Sequence, residues 1–173
     1  MGRLRQEKLT SESGMGMRSE EEVNRAIDRY ADMIRRICLL HLKNESDSED
    51  IFQTVFLKYV LHPAAFESEE HEKAWLIRVA VNACKDHLRD FFRSRTVPLE
   101  ELTGQASELH PEQREVWNAV LALPKKYRDA VYLHYYEGYS APEISKILGK
   151  NSNTVYSLLS RAREMLRQSL GGI

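Results

Sequence analysis

The sharpest periodicity of apolar and polar positions lies in residues 140–166, SAPEISKILGKNSNTVYSLLSRAREML. Ser140 is a favourable N-cap, and Glu143 three positions later completes a capping box, so a helix is predicted to begin here. The apolar positions of this helix share one face: Ile144, Ile147 and Leu148. Gly149 is predicted to end the helix, because the left-handed turn after a helix favours glycine.

A second helix is predicted directly after that turn, with Ser152 or Asn153 as its N-cap. Apolar residues recur along it at spacings of 4, 3 and 4 positions: Val155, Leu159, Ala162 and Leu166. Two short amphipathic helices joined by a glycine-containing turn indicate a helix-turn-helix, in which the second helix enters the DNA major groove. The alternative is an αα-hairpin at the edge of any helical bundle.

The polar side of the second helix favours DNA binding over a simple hairpin. A rotation of about 100° per residue places five polar side chains away from the apolar stripe and two arginines on one flank. The five are Asn153, Tyr156, Ser157, Ser160 and Arg161, and the flanking pair is Arg163 and Arg167. Such groups suit base edges bordered by phosphates, whereas a solvated face more often carries Glu–Lys pairs. Leu158 borders the stripe and is expected to pack against the first helix of the motif.

The N-terminal half contains further helical patterns. The first runs over residues 20–44 and has one apolar face between Val23 and Leu42. The second begins at caps among residues 46–48 and ends at Pro63. Its apolar face consists of Ile51, Phe52, Val55 and Tyr59, and its polar side carries Asp50, Gln53 and Lys58.

The third pattern, over residues 70–92, combines an apolar face with a regular basic stripe. The apolar face consists of Leu76, Val79, Ala80, Ala83, Leu88 and Phe91. The basic stripe has spacings of 4, 3, 4 and 4 and consists of Arg78, Asn82, Lys85, Arg89 and Arg93. A basic stripe with Trp75 and Phe92 near it is typical of a platform for single-stranded nucleic acid. A solvated helix face is the alternative.

Residues 96–111 contain proline and glycine with little periodicity, and are predicted to form a linker. Two helices, over residues 112–122 and 125–137, follow it and precede the helix-turn-helix. Residues 1–19 are expected to be a disordered tail, with Met1, Met15 and Met17 as alternative starts. The chain is therefore predicted to be all-α, with a helical domain at 20–95 and a DNA-binding domain at 112–173.

The composition excludes several classes of protein. No apolar run approaches the roughly 18 residues of a membrane span, and a secretory signal is absent, so the chain is expected to stay in the cytosol without inserting into a membrane. Cys38 and Cys84 are expected to be small buried side chains. The six histidines show no metal-ligand spacing, so no metal, cofactor or catalytic residue is assigned.

The net charge of −1 conceals strong local differences along the chain. Residues 73–95 and 116–173 each carry a net charge of +4, whereas residues 43–72 carry −6 and residues 96–115 carry −4. The two basic blocks indicate two surfaces that face a polyanion, and the acidic charge indicates a surface for a basic partner.

Three segments, in this order, resemble those of a bacterial alternative sigma factor of the extracytoplasmic-function (ECF) group. SDSEDIFQTVFLKYV resembles the segment that docks on RNA polymerase, and KAWLIRVAVNACKDHLRDFF resembles the promoter-melting helix. LPKKYRDAVYLHYYEGYSAPEISKILGKNSNTVYSLLSRAREML resembles the domain that reads the upstream promoter element. The likeness extends from about Tyr30 to Leu166 and includes the position of the linker.

The resemblance implies a non-enzymatic factor that binds core RNA polymerase and directs promoter recognition, DNA melting and transcription initiation. Asp50, Gln53 and Lys58 would face the clamp of the polymerase large subunit. The stripe that begins at Arg78 would hold the displaced non-template strand, with a base flipped into a nearby loop pocket. An anti-sigma protein is a further implied partner.

Two alternatives remain at the level of the sequence. A dimeric helix-turn-helix regulator would use the N-terminal half for sensing or dimerisation and would bind palindromic sites. A sensor domain, however, needs neither a basic stripe nor an acidic docking helix. A helical-bundle enzyme with a carboxylate-bridged metal site would need facing pairs of Glu-x-x-His helices, and the sequence shows none.

Overall fold

The computed structural model of the chain describes residues 16–42, 44–94 and 111–171, and all regular secondary structure within these ranges is helical. Its helices are α1 (Glu20–Leu42), α2 (Glu45–Leu61), α3 (Glu69–Ser94), α4 (Pro111–Ala122), α5 (Lys125–Tyr135), α6 (Ala141–Leu148) and α7 (Ser152–Ser169). The all-α prediction is confirmed. Residues 96–110 of the predicted linker and residues 1–15 of the predicted tail lie outside the described residues.

Helices α1, α2 and α3 pack against one another and form the N-terminal half. The apolar face predicted for α2 is buried, as Ile51, Phe52, Val55 and Tyr59 are all in the hydrophobic core. The predicted cap of α2 was wrong. Asn44 is the N-cap, and its side chain accepts hydrogen bonds from the backbone N–H groups of Ser46 and Asp47 at 2.9 and 3.2 Å.

The buried side of α3 differs from the predicted apolar face. Leu76, Ala80 and Ala83 are buried as expected, but Val79, Leu88 and Phe91 are only partly buried. Three other residues are fully or almost fully buried: Ile77, Val81 and Cys84. The reason is that α3 contacts both α1 and α2, so the sector of α3 that faces the core is turned toward these residues.

The helix-turn-helix is formed by α6 and α7. The backbone N–H of Ser140 donates to the Glu143 carboxylate at 2.8 Å and the Ser140 hydroxyl accepts from the Glu143 N–H at 3.4 Å, which confirms the predicted capping box. Gly149 ends α6 with a φ of 65°. The cap predicted for α7 was wrong, because Asn151 holds that position and accepts from the Asn153 N–H at 2.8 Å.

The apolar stripe of α7 packs inward as predicted. Val155, Leu159 and Ala162 are buried, and Leu158 and Leu166 are partly buried against the same core. Leu158 and Leu159 are neighbours on α7, but Leu159 is buried whereas Leu158 is only partly buried.

We expect Leu159→Ala to reduce the free energy of unfolding by about 1 kcal/mol more than Leu158→Ala does, because a fully buried leucine loses more contacts and leaves a larger cavity. Urea denaturation followed by circular dichroism measures both values. Equal losses would show that Leu158 is packed as tightly as its neighbour.

The N-terminal and C-terminal halves also contact each other, through α1 with α5 and α3 with α6. The buried Arg128 side chain donates to the backbone carbonyls of Leu40, at 2.9 Å, and Leu123, at 2.7 Å. Beside it, His41 Nε2 lies 2.6 Å from Asp129 Oδ1. Buried hydrophobic residues of both halves accordingly belong to one continuous core.

Candidate nucleic-acid and protein interfaces

The basic stripe of α3 lies on the exposed side of that helix. All five of its residues are exposed to solvent: Arg78, Asn82, Lys85, Arg89 and Arg93. Arg89 donates to the neighbouring Asp86 carboxylate at 2.9 Å, an exposed pair whose energy is small because water screens it. The predicted stripe therefore exists as a solvent-exposed surface along α3.

Arg78 has a second role that the sequence did not reveal. Its Nε donates to the carbonyl of Ile147 at 3.2 Å, and its NH2 group donates to the carbonyl of Lys146 at 3.4 Å. These carbonyls lie at the C-terminal end of α6, where a helix leaves acceptors unsatisfied and favours a cation. The first residue of the stripe thus links α3 to the helix-turn-helix.

The predicted recognition surface of α7 faces solvent. Its members are all exposed: Asn153, Tyr156, Ser157, Ser160 and Arg161. Tyr156 is the one aromatic residue of this surface, and it is 56% exposed. The apolar stripe on the other side of α7 fixes this orientation, because turning the helix would expose Val155 and Leu159.

The two flanking arginines are exposed and have partners within the chain. The Nε of Arg163 donates to the Tyr135 hydroxyl at 3.1 Å. Arg167 donates to the Glu164 carboxylate at 2.8 Å, and this hydrogen bond raises the pKa of Arg167 and lowers the pKa of Glu164. Both arginines therefore lie at the edge of the recognition surface, each hydrogen-bonded to a side chain of this chain.

The outer side of α2 carries the residues predicted to face a protein partner. Asp50, Gln53 and Lys58 are all exposed. The structure adds two leucines that the sequence analysis passed over, since Leu57 is 59% exposed and Leu61 is 54% exposed. Leu57 and Leu61 follow Asp50 by seven and eleven positions, which is about two and three helical turns, so all three lie on the same side of α2. This spacing could have identified the two leucines from the sequence. We call Asp50, Gln53, Leu57, Lys58 and Leu61 the α2 face.

An aromatic cluster at the start of α3 was also missed. The loop at residues 62–68 brings the rings of His62 and Phe66 against Trp75. Arg18, which belongs to the predicted disordered tail over residues 1–19, packs its guanidinium on Phe66 and Tyr59. Two residues of that segment thus have defined contacts, since Arg18 contacts the loop and Ser19 caps α1 through Glu22.

The two cysteines are buried, as expected, and lie side by side between α1 and α3. A hydrogen bond with Cys38, together with burial, raises the pKa of the Cys84 thiol far above its ordinary value. Among the described residues no three His, Cys, Asp or Glu side chains are grouped as a metal site would require. None of the described helices is long and apolar enough to cross a lipid bilayer.

Comparison with known proteins identifies both halves separately. The family model of Sigma-70 region 2 matches residues 26–95, and the model of Sigma-70, region 4 matches residues 113–166. The ECF RNA polymerase sigma factor SigM of Mycobacterium tuberculosis is 30% identical over 145 residues, which cover 83% of this chain and 74% of that protein. The ECF sigma factor SigW of Bacillus subtilis is 29% identical over 161 residues, which cover 83% of this chain and 86% of that protein.

Two solved structures have the same fold. The sigma factor RpoE of Bartonella quintana, in complex with the anti-sigma factor NepR, superposes with a TM-score of 0.74 and 22% identity, covering 87% of this chain and 97% of that one. CnrH, in complex with the cytosolic domain of CnrY, gives a TM-score of 0.63 and 23% identity, covering 88% of this chain and 89% of that one.

Proposed function

The chain belongs to the sigma-70 family, as an RNA polymerase sigma factor of the ECF group that directs transcription initiation, and from this we propose which of its surfaces carries each step. The α2 face docks on core RNA polymerase, the basic stripe of α3 holds the unpaired strand, and the recognition surface of α7 reads the upstream promoter element. One observation supports all three roles: each surface is exposed on a helix whose opposite side is buried. Family membership decides against the dimeric helix-turn-helix regulator.

We expect docking on core RNA polymerase to precede DNA binding, because the protein alone carries too little positive charge to bind DNA tightly. Each basic block carries only +4, and the whole chain carries −1, so few counterions are released when the protein binds DNA alone. Core RNA polymerase supplies the additional contacts, and DNA melting then draws on many weak interactions made together. A factor of this kind works in the bacterial cytoplasm, and no step requires a catalytic residue on this chain.

Arg78 joins the two halves and is also the first residue of the stripe proposed to hold the unpaired strand. Two of its five N–H groups donate to the carbonyls of Lys146 and Ile147, and the exposed guanidinium has three further N–H groups that can donate to a DNA phosphate. We therefore expect the proposed strand contact to be compatible with the contact between Arg78 and α6.

We further propose that an anti-sigma protein regulates the chain. RpoE of Bartonella quintana is bound to an anti-sigma factor in its solved structure, and CnrH is bound to the cytosolic domain of CnrY. Support within this chain comes from the exposed leucines of the α2 face, which a protein partner would cover in the absence of polymerase.

The recognition surface is tested by selecting preferred sequences from promoters with a randomised upstream element, using each variant bound to core RNA polymerase. Asn153→Ala and Tyr156→Ala should change the preferred sequence, because base-edge contacts carry about 1–3 kcal/mol of discrimination. Arg163→Ala and Arg167→Ala should weaken all promoters alike and reduce the salt dependence by about one unit each. An unchanged preference for the Asn153 and Tyr156 variants would show that another side of α7 faces the groove.

A further inference from the structure

We propose that Arg18 is a positioning residue for promoter melting, because it holds the loop at residues 62–68 against the start of the basic stripe. This inference rests on the function proposed above for α3. The loop carries the rings of His62 and Phe66, and its position decides whether they stay beside the stripe. Arg18 reaches the loop from the segment that precedes α1.

The position of Trp75 shows that the loop adjoins the stripe. Seven residues separate Trp75 from Asn82, so at about 100° per residue the two lie on nearly the same side of α3. The ring centroid of Trp75 lies 4.6 Å from that of His62 and 5.5 Å from that of Phe66. All three side chains are partly exposed. Partly exposed rings that continue a basic stripe provide a surface on which unpaired bases stack.

Arg18 contacts the end of α2, the middle of the loop and one of the loop's rings. The backbone N–H of Arg18 donates to the carbonyl of Val60 at 3.0 Å, and its NH2 group donates to the carbonyl of Ala64 at 2.6 Å. The guanidinium carbon lies 4.5 Å from the ring centroid of Phe66 and 4.6 Å from that of Tyr59. One side chain therefore fixes both the loop backbone and the ring that stacks with His62 at 5.2 Å.

The chemistry of these contacts calls for arginine in particular. The Arg18 side chain is only 9% exposed, and its Nε is buried without a hydrogen-bond partner. Burial of a charged group is unfavourable, so an apolar residue would serve better if the segment needed only an anchor. A planar guanidinium, however, can lie on two rings and donate to a carbonyl at the same time.

Glu22 completes the arrangement. Its carboxylate lies 3.6 Å from Arg18 NH1 and also accepts from the backbone N–H and hydroxyl of Ser19. The hydrogen bonds from Ser19 lower the pKa of Glu22, so the carboxylate stays charged opposite the guanidinium. The same carboxylate thus caps α1 and keeps Arg18 directed at the loop.

The test uses holoenzyme assembled from core RNA polymerase and the full chain, on a double-stranded promoter obtained by selection. Arg18→Ala should slow the conversion of closed to open complex about tenfold, as expected when one base–aromatic stack is lost. Affinity for core RNA polymerase and closed-complex affinity should change less than twofold, and Arg18→Lys should restore part of the rate. Arg25→Ala, which removes an exposed arginine of α1, is the matched control and should have the wild-type rate.

If Arg18→Ala also lowers stability, a double-mutant cycle with Phe66 of the loop shows whether the two residues act together in promoter opening. Phe66→Ala should slow opening by a similar factor, and the Arg18→Ala/Phe66→Ala protein should be no slower than the slower single variant, because the two residues act as a unit. Two results would overturn the role of Arg18: a wild-type opening rate for Arg18→Ala, or a double variant that is slowed by the product of the two single-variant factors. If Arg89→Ala also opens the promoter at the wild-type rate, the proposed function of α3 fails instead.

Discussion

Replacement of both Leu57 and Leu61 by Asp is expected to weaken binding to core RNA polymerase at least about a hundredfold. The two side chains are more than half exposed and lie together on α2, so a partner that covers them gains apolar contact at the centre of the interface. Aspartate at either position would bury a carboxylate at the centre of the interface, where water is excluded, and this is unfavourable. Thermal unfolding of the free protein should change little, because substitutions at exposed positions usually alter stability by less than about 0.5 kcal/mol.

Two comparisons show whether this loss belongs to the α2 face. Asp50→Lys on the same face should also weaken binding to core RNA polymerase, whereas Val116→Asp, at a 41% exposed position of α4, should not. Fluorescence anisotropy of labelled protein titrated with core RNA polymerase measures each affinity. If the leucine variant unfolds at a much lower temperature and binds normally when folded, these leucines are structural and the docking assignment is wrong.

The second large effect is expected on DNA opening. Replacement of Arg78 and Arg89 together by Ala should reduce open-complex formation about tenfold to a hundredfold, since hydrogen bonds to charged groups contribute about 1.5–3 kcal/mol. Closed-complex binding should fall much less. Permanganate modification of unpaired thymines on a supercoiled promoter measures the open complex directly.

Single variants of the two arginines distinguish contact with the DNA strand from contact between the two halves of the protein. Arg78→Ala removes the hydrogen bonds to α6 as well as a proposed DNA contact, whereas Arg89→Ala removes only the latter together with an exposed ion pair. Arg89→Ala is therefore the cleaner probe of the stripe. Equal loss by that variant on a pre-melted bubble and on duplex DNA would mean that the stripe contacts duplex phosphates only.

The features that the sequence predicted correctly depend on neighbouring residues. The capping box of Ser140 and Glu143, the left-handed Gly149 and the inward stripe of α7 each follow from chemistry within one or two helical turns. The N-cap of α7 was missed because Asn151, Ser152 and Asn153 are three consecutive residues that can all cap a helix. Only the path of the chain after Gly149 selects among them.

The features that the sequence did not predict depend on distant parts of the chain. Arg78 meets the end of α6 across 69 positions, and Arg18 meets Ala64 across 46. Periodicity describes one helix at a time, so it identified Arg78 as a polar position without revealing its partner. The buried sector of α3 was misjudged for the same reason, because the placement of α1 and α2 decides which residues it contains.

The central claim is that this chain enables core RNA polymerase to initiate at specific promoters. Run-off transcription on a linear template that carries a selected promoter, with core RNA polymerase and the full chain added separately and together, tests it most directly. We expect a transcript with one defined 5′ end only when both are present. Unchanged transcription by core RNA polymerase in the presence of excess protein would contradict the claim.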